Sequence, residues 1–197
     1  DTRLDLRSGG VLTNLGDNPS FSIPAASSGW ADTKATYNFF NNEKVDKEKI
    51  LSSHKQSIIE RTKDEGVLLS LQDTTELDYT GQKQNDAHGL LNLESRKGTY
   101  LHNTLITTPS RLPLGIWHIS TIKRDKLRNQ MRAEEKKKHD QSAYIEKESY
   151  RWYDSYQSSC ELAEIVPDKQ VISIGDREND SYNFISSVQE SINSGNP

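Results

Sequence analysis

Apolar positions recur at spacings of three and four through KEKILSSHKQSIIERTKDE, where Ile50, Leu51, His54, Ile58 and Arg61 share one semi-apolar face. That period predicts a helix, and Asp46 stands where its N-cap belongs. A shorter helix is predicted over ADTKATYNFFNN, with Ala35, Phe39 and Phe40 turned inward. Near the N-terminus a third candidate is interrupted by Gly9 and Gly10, each costing about 1 kcal/mol relative to alanine in a helix interior.

At Gly66 the pattern changes. VLLSLQD is a short apolar run ending in Asp73, as a buried strand would. The Gly-rich, polar segment LDYTGQKQNDAHGLLNLESRKG reads as a surface loop, and TYLHNTLITT and PLGIWHIST, separated by PSRL, as two antiparallel strands with a short turn. KRDKLRNQMRAEEKKKHD has no apolar stripe wide enough to pack and reads as a solvated helix or insertion. ESYRWYDSYQSSCELAEIV predicts a helix carrying Tyr150, Trp152, Tyr153, Tyr156 and Leu162, QVISIGD a second buried strand, and SYNFISSVQES a final helix. The order implies an α/β domain behind a small helical one, divided as residues 1–65 and 66–197 with a charged insertion near 123–148.

Composition limits the core. Of 197 residues 32% are hydrophobic and 27% charged, so long exposed connections, or a fragment whose partner surface lies on other chain, both fit. No apolar run approaches the roughly 20 residues that cross a bilayer, and DTRLDLRSGG lacks the basic start and apolar run of a signal peptide. The expectation is a soluble, cytoplasmic chain with no membrane partner. Cys160 stands alone, which excludes an internal disulfide or a thiolate metal cluster. A net charge of −4 argues against generic polyanion binding. Its distribution is uneven: residues 123–148 hold nine Lys/Arg against six Asp/Glu, whereas 149–197 hold three against eight.

Both apolar strands end in aspartate, Asp73 and Asp176. If they are parallel neighbours these carboxylates face one another, and like charges at close range repel unless a cation lies between them. A hard ion such as Mg²⁺, with Mn²⁺ as a substitute, suits two carboxylates and water. Either residue alone could equally be a turn or helix cap.

Two families compete for the segments around these acids. Gly175, Asp176, Asn179 and Asp180 resemble the GD-x-x-ND segment of haloacid-dehalogenase-type phosphohydrolases, but Thr75 stands where that family's D-x-D-x-T strand needs a second acid. The second resemblance spans most of the chain. NPSFSIPAASSGWADTKATYNFFNNEKV, LQDTTELDYT, GTYLH with PLGIWH, and ISIGDREND follow the order seen in bacterial DDE transposases of insertion-sequence family four.

That resemblance implies a helical domain gripping double-stranded DNA at transposon ends, then a ribonuclease-H-like catalytic domain, with dimers acting on nucleoid DNA. It makes Asp73 and Asp176 the first two metal-binding catalytic residues. Thr33 and Lys34 become candidates for reaching DNA, with Tyr37 in the same motif and Trp30, Tyr37 and Phe39 mostly core. Asn38 replaces a usual arginine. Arg177 would steer a phosphate or pair with a neighbouring acid, Glu178 and Asp180 would cap the following helix, and His102 would be structural. The family's third carboxylate lies in a Y-R-E segment well beyond the second, and no such segment follows Asp176 here. The expectation is therefore an incomplete ribonuclease-H-like domain that does not complete transposition, or a noncatalytic DNA-binding fragment.

Overall fold

The computed structural model describes residues 2–83, 88–127 and 130–194, the side chain of Glu146 excepted. Residues 84–87 of the expected loop and 128–129 of the basic stretch lie outside them. The chain forms two compact units, 1–52 and 53–197.

The first unit holds α1 (Thr2–Asp17), α2 (Ile23–Ala26), α3 (Trp30–Phe40) and the start of α4 (Lys47–Arg61). α1 runs through Gly9 and Gly10 without a break. Tertiary contacts outweigh propensity here: Val11 is buried, and Asn14 Nδ2 and Arg7 Nη1 donate to the Asp32 carboxylate of α3 at 2.7 and 3.3 Å. In α3 only part of the expected inward face is inward. Phe39 is buried, but Phe40 is exposed and Thr33 and Thr36 are buried instead. Asp46 does cap α4, its Oδ1 accepting from Lys49 N at 2.8 Å.

The second unit is a five-stranded mixed sheet of β1 (Val67–Asp78), β2 (Gly89–Leu90), β3 (Lys97–Thr107), β4 (Pro113–Ile122) and β5 (Gln170–Ile174). β3 pairs antiparallel with β1 along one edge, and on its other edge with β2 at its start and with β4 from Tyr100 onward. β5 lies parallel to β1, from Val67 opposite Gln170 to Leu71 opposite Ile174. The expected hairpin is present. The expected end of the first strand at Asp73 is not: β1 continues through Thr74 and Thr75 to Asp78, because β3 supplies ladder partners that far. β5 is not buried on both faces either, since it is the sheet edge and leaves Ile172 and Ile174 exposed.

The rest of α4 belongs to this unit, with α5 (Ala133–Gln141), α6 (Tyr150–Ile165) and α7 (Tyr182–Asn193). α5 buries nothing, as its lack of an apolar stripe requires. α6 lies on the sheet with Trp152, Ser155, Ser158, Ser159 and Leu162 inward. The hydrophobic core of the unit is Ile58, Leu68, Ile106, Leu114, Trp117, Leu162 and Val166, of which α6 supplies Leu162. Polar ties fix the position of α6: Ser70 and Ser159 share a 2.7 Å hydrogen bond, and Trp117 Nε1 donates to Ser158 O at 2.7 Å. Gly115 has φ +145°, and a Cβ there would lie 2.6 Å from His54 Nε2. The missing side chain lets α4 meet β4, where Ile116 N donates to His54 Nε2 at 3.1 Å.

His102 of β3 is fully buried beneath α6, edge-on to Trp152 at 4.6 Å. Burial, reinforced by the charges of Arg151 and His118, pushes its pKa down to about 4. The folded state therefore keeps it neutral where an unfolded histidine takes up a proton.

Two outcomes follow from this packing. Trp117→Phe keeps most of the ring's burial but loses the bond to the Ser158 carbonyl, which retains its place in the α6 ladder, so urea denaturation should show a loss of about 1 kcal/mol. Depression of the His102 pKa makes stability fall as pH drops from about 6.5 through about 4. His102→Asn should flatten the melting temperature's fall between pH 7 and 5 relative to the unmodified protein; parallel curves would mean that His102 does not titrate this way.

Candidate metal site on the sheet

Where β5 stops at Ile174, β1 continues, and the space beside it becomes a cavity of about 180 Å³. Asp73 and Asp176 both line it. Each lies two residues past the last parallel pair, Leu71 and Ile174, so the ladder register delivers both to the same end of β5. The other walls come from Thr74 and Glu76 of β1, Tyr100 of β3, Asn92, Arg124, Glu148, Arg151 of α6, and Glu178.

The two aspartates are held alike. Asp73 Oδ1 accepts from Thr74 N, and Asp176 Oδ1 from Glu178 N, both at 2.8 Å. Asp176 thereby caps the 3₁₀ turn Arg177–Asn179. Gly175 admits that turn, since a Cβ there would lie 2.7 Å from Asn179 Nδ2. Among the described residues neither Asp73 nor Asp176 forms an ion pair, and neither Oδ2 has a hydrogen-bond donor.

The cavity's two arginines are committed elsewhere. Arg124 grips Glu148 with two bonds, Nε to Oε2 at 3.0 Å and Nη2 to Oε1 at 2.5 Å, and its Nη1 donates to Tyr100 OH at 2.9 Å. Arg151 Nη2 donates to Glu178 Oε2 at 2.8 Å, and its Nε to Thr74 Oγ1 at 3.0 Å. Thr74 Oγ1 lies 2.8 Å from His102 Nδ1. Beyond Thr74 the wall is braced by Asn92, which donates to Glu76 Oε1 at 2.5 Å, and by Arg96, whose Nη1 lies 2.7 Å from Glu76 Oε2.

Five acids and two arginines thus line the cavity, and the aspartates remain without a counter-charge. Exposed, oxygen-only and lining one cavity, they suit a hard divalent cation that keeps most of its waters. Among the described residues no group of three or more His, Cys, Asp or Glu side chains is arranged to hold a metal. The donor set is a pair, which fits Mg²⁺ and excludes a closed protein cage. Glu148 reaches the same cavity with both oxygens already taken by Arg124.

Other sequence candidates fare differently. Arg177 is exposed and forms no ion pair among the described residues, so the expected acid partner is absent. Glu178 pairs with Arg151, and α7 is capped by Ser181, whose Oγ accepts from Phe184 N at 3.3 Å. The expectation that Glu178 and Asp180 cap that helix is thereby corrected: the 3₁₀ turn intervenes, and a hydroxyl lies where the helix starts. In the first unit Thr33 is buried, with Oγ1 donating to Gly29 O, and presents nothing to a ligand. Trp30, expected in the core, is 80% exposed, and Tyr37 is 46% exposed beside an exposed Lys34. Sequence reasoning passed over Arg124, Glu148 and Arg151; the available signal was an acid and an arginine three residues apart at the start of an aromatic-rich helix.

A family model described as transposase DNA-binding matches residues 1–45, the stretch that contains α1, α2 and α3. No curated protein matches the chain. No helix among the described residues is long and apolar enough to cross a membrane. The helical N-terminal unit thus carries a transposase DNA-binding region, and DNA is the partner it implies.

Proposed function

We propose that the chain is a transposase-type protein of insertion-sequence family four, with residues 66–197 contributing the first part of a ribonuclease-H-like catalytic domain. One observation carries the catalytic half of this reading. The parallel register of β1 and β5 delivers Asp73 and Asp176 to one cavity, with each carboxylate oriented by a backbone N–H and neither neutralised by an arginine. A sheet that is antiparallel through β4, β3 and β1 and parallel between β1 and β5 supports the ribonuclease-H-like assignment.

In this reading Asp73 and Asp176 hold Mg²⁺, or Mn²⁺ in its place. When bound, such ions activate an attacking water or 3′-hydroxyl and stabilise the leaving oxygen of a phosphodiester. The chain's own residues fix the two carboxylates, keep Arg124 and Arg151 from neutralising them, and leave the mouth open to a DNA backbone. Arg177, exposed beside Asp176, is placed to meet a phosphate. On the N-terminal unit Trp30, Lys34 and Tyr37 form the outward face of α3 and supply the contact with transposon-end DNA. Glu76, Glu148 and Glu178 are each bound to an arginine, so the described residues offer no third carboxylate, and strand cleavage by this chain alone is not expected.

Mn²⁺ titration followed by electron paramagnetic resonance should show binding that weakens at least tenfold in Asp73→Asn and in Asp176→Asn. Equal affinity in all three proteins would remove the metal site from this cavity. For the N-terminal unit, the measurement is binding to duplexes selected from a randomised pool, repeated across salt concentrations. Lys34→Ala should lower the slope of log K against log salt by about 1, and Thr33→Val should leave that slope unchanged. The reverse pattern would show that α3 meets DNA through a different face.

A further inference from the structure

The two aspartates lie on different elements, one within β1 and the other past the end of β5, and beyond Leu71 and Ile174 no ladder bond joins them. Some other group must keep them at a constant separation. Each is oriented by the backbone N–H of a neighbour, Thr74 for Asp73 and Glu178 for Asp176. The side chains of those two neighbours are held by one guanidinium, through Arg151 Nε to Thr74 Oγ1 at 3.0 Å and Nη2 to Glu178 Oε2 at 2.8 Å. The third corner, Nη1, donates to Glu148 O at 2.9 Å and anchors the group to the start of α6. With its side chain only 11% exposed, Arg151 is well shielded from water. Its planar fork addresses three elements at once, which the single ammonium of a lysine cannot reproduce.

We propose that Arg151 is the positioning residue of the metal site, clamping Thr74 and Glu178 so that Asp73 and Asp176 keep the spacing a divalent cation requires. This role rests on the metal-binding reading of the two aspartates. Arg151 touches neither carboxylate in the described contacts and acts through the residues that orient them. Outer contacts of this kind typically change metal affinity by about 10–100-fold when removed.

The test is Mn²⁺ titration of the full chain by electron paramagnetic resonance, paired with calorimetric melting of the metal-free protein. Arg151→Ala and Thr74→Val should each weaken Mn²⁺ binding by about 10–100-fold. Arg151→Lys should fail to restore it, and Thr74→Ser, which keeps the hydroxyl, should bind as the unmodified chain does. A purely structural role would lower the melting temperature of the metal-free variants and leave the affinity of the folded fraction unchanged, and that result would overturn the proposal. If Arg151→Ala does not fold, the Thr74→Val and Thr74→Ser pair decides: equal affinity in those two overturns it. A failure of the underlying reading is separately visible, because the unmodified chain and Asp73→Asn would then bind Mn²⁺ alike.

Discussion

The unequal lengths of two neighbouring strands govern this molecule. β1 is twelve residues long and β5 five, and they part company after Leu71 and Ile174. Had β5 continued, its ladder would have closed the edge of β1 and filled the cavity with backbone. Instead Gly175 and Asp176 turn into a short 3₁₀ segment, and the exposed flank of β1 becomes one wall of a polar recess. The sheet supplies rigidity up to the point where chemistry begins. Strand ends in parallel sheets serve as sites for this reason: side chains are fixed by the ladder behind them while the space ahead stays open.

Charge then sorts the recess into two parts. Acids and arginines that could have neutralised one another at random are paired specifically: Glu148 with Arg124, Glu178 with Arg151, and Glu76 with Arg96. What remains is Asp73 beside Asp176. Two carboxylates in one recess without a counter-ion leave it negatively charged, which favours a cation from solution. The arginines do more than balance charge. They occupy the neighbouring acids, which leaves the aspartate pair as the unpaired acids of the recess among the described residues, and they bridge the elements that carry the pair. Behind them Thr74 joins the site to the neutral His102 in the core, so the recess and the α6 packing share one hydrogen-bonded chain.

Much of this was legible in the sequence where the signal is local. Apolar runs marked β1 and β5, the PSRL turn marked the hairpin, and an aspartate beside each run marked the pair. Asp46 announced its helix correctly because an N-cap requires only its own next turn. The failures share one cause, dependence on distant partners. Whether Trp30 or Thr33 faces inward depends on which side of α3 meets its neighbours, and the hydrophobicity of the tryptophan pointed the wrong way. α1 tolerates two glycines because Asp32, well along the chain, accepts from Arg7 and Asn14. The true length of β1 is set by β3, and the importance of Arg151 exists only once Thr74 and Glu178 are brought to it across 77 and 27 residues of chain.

The central claim is that a divalent cation sits between Asp73 and Asp176, and locating that ion tests it most directly. Crystals of the full chain soaked in manganese chloride, with diffraction recorded near the manganese absorption edge, should show an anomalous peak within coordinating distance of both carboxylates. A map with no peak there, or with manganese only on other acids such as Glu148 or Glu178, would contradict it.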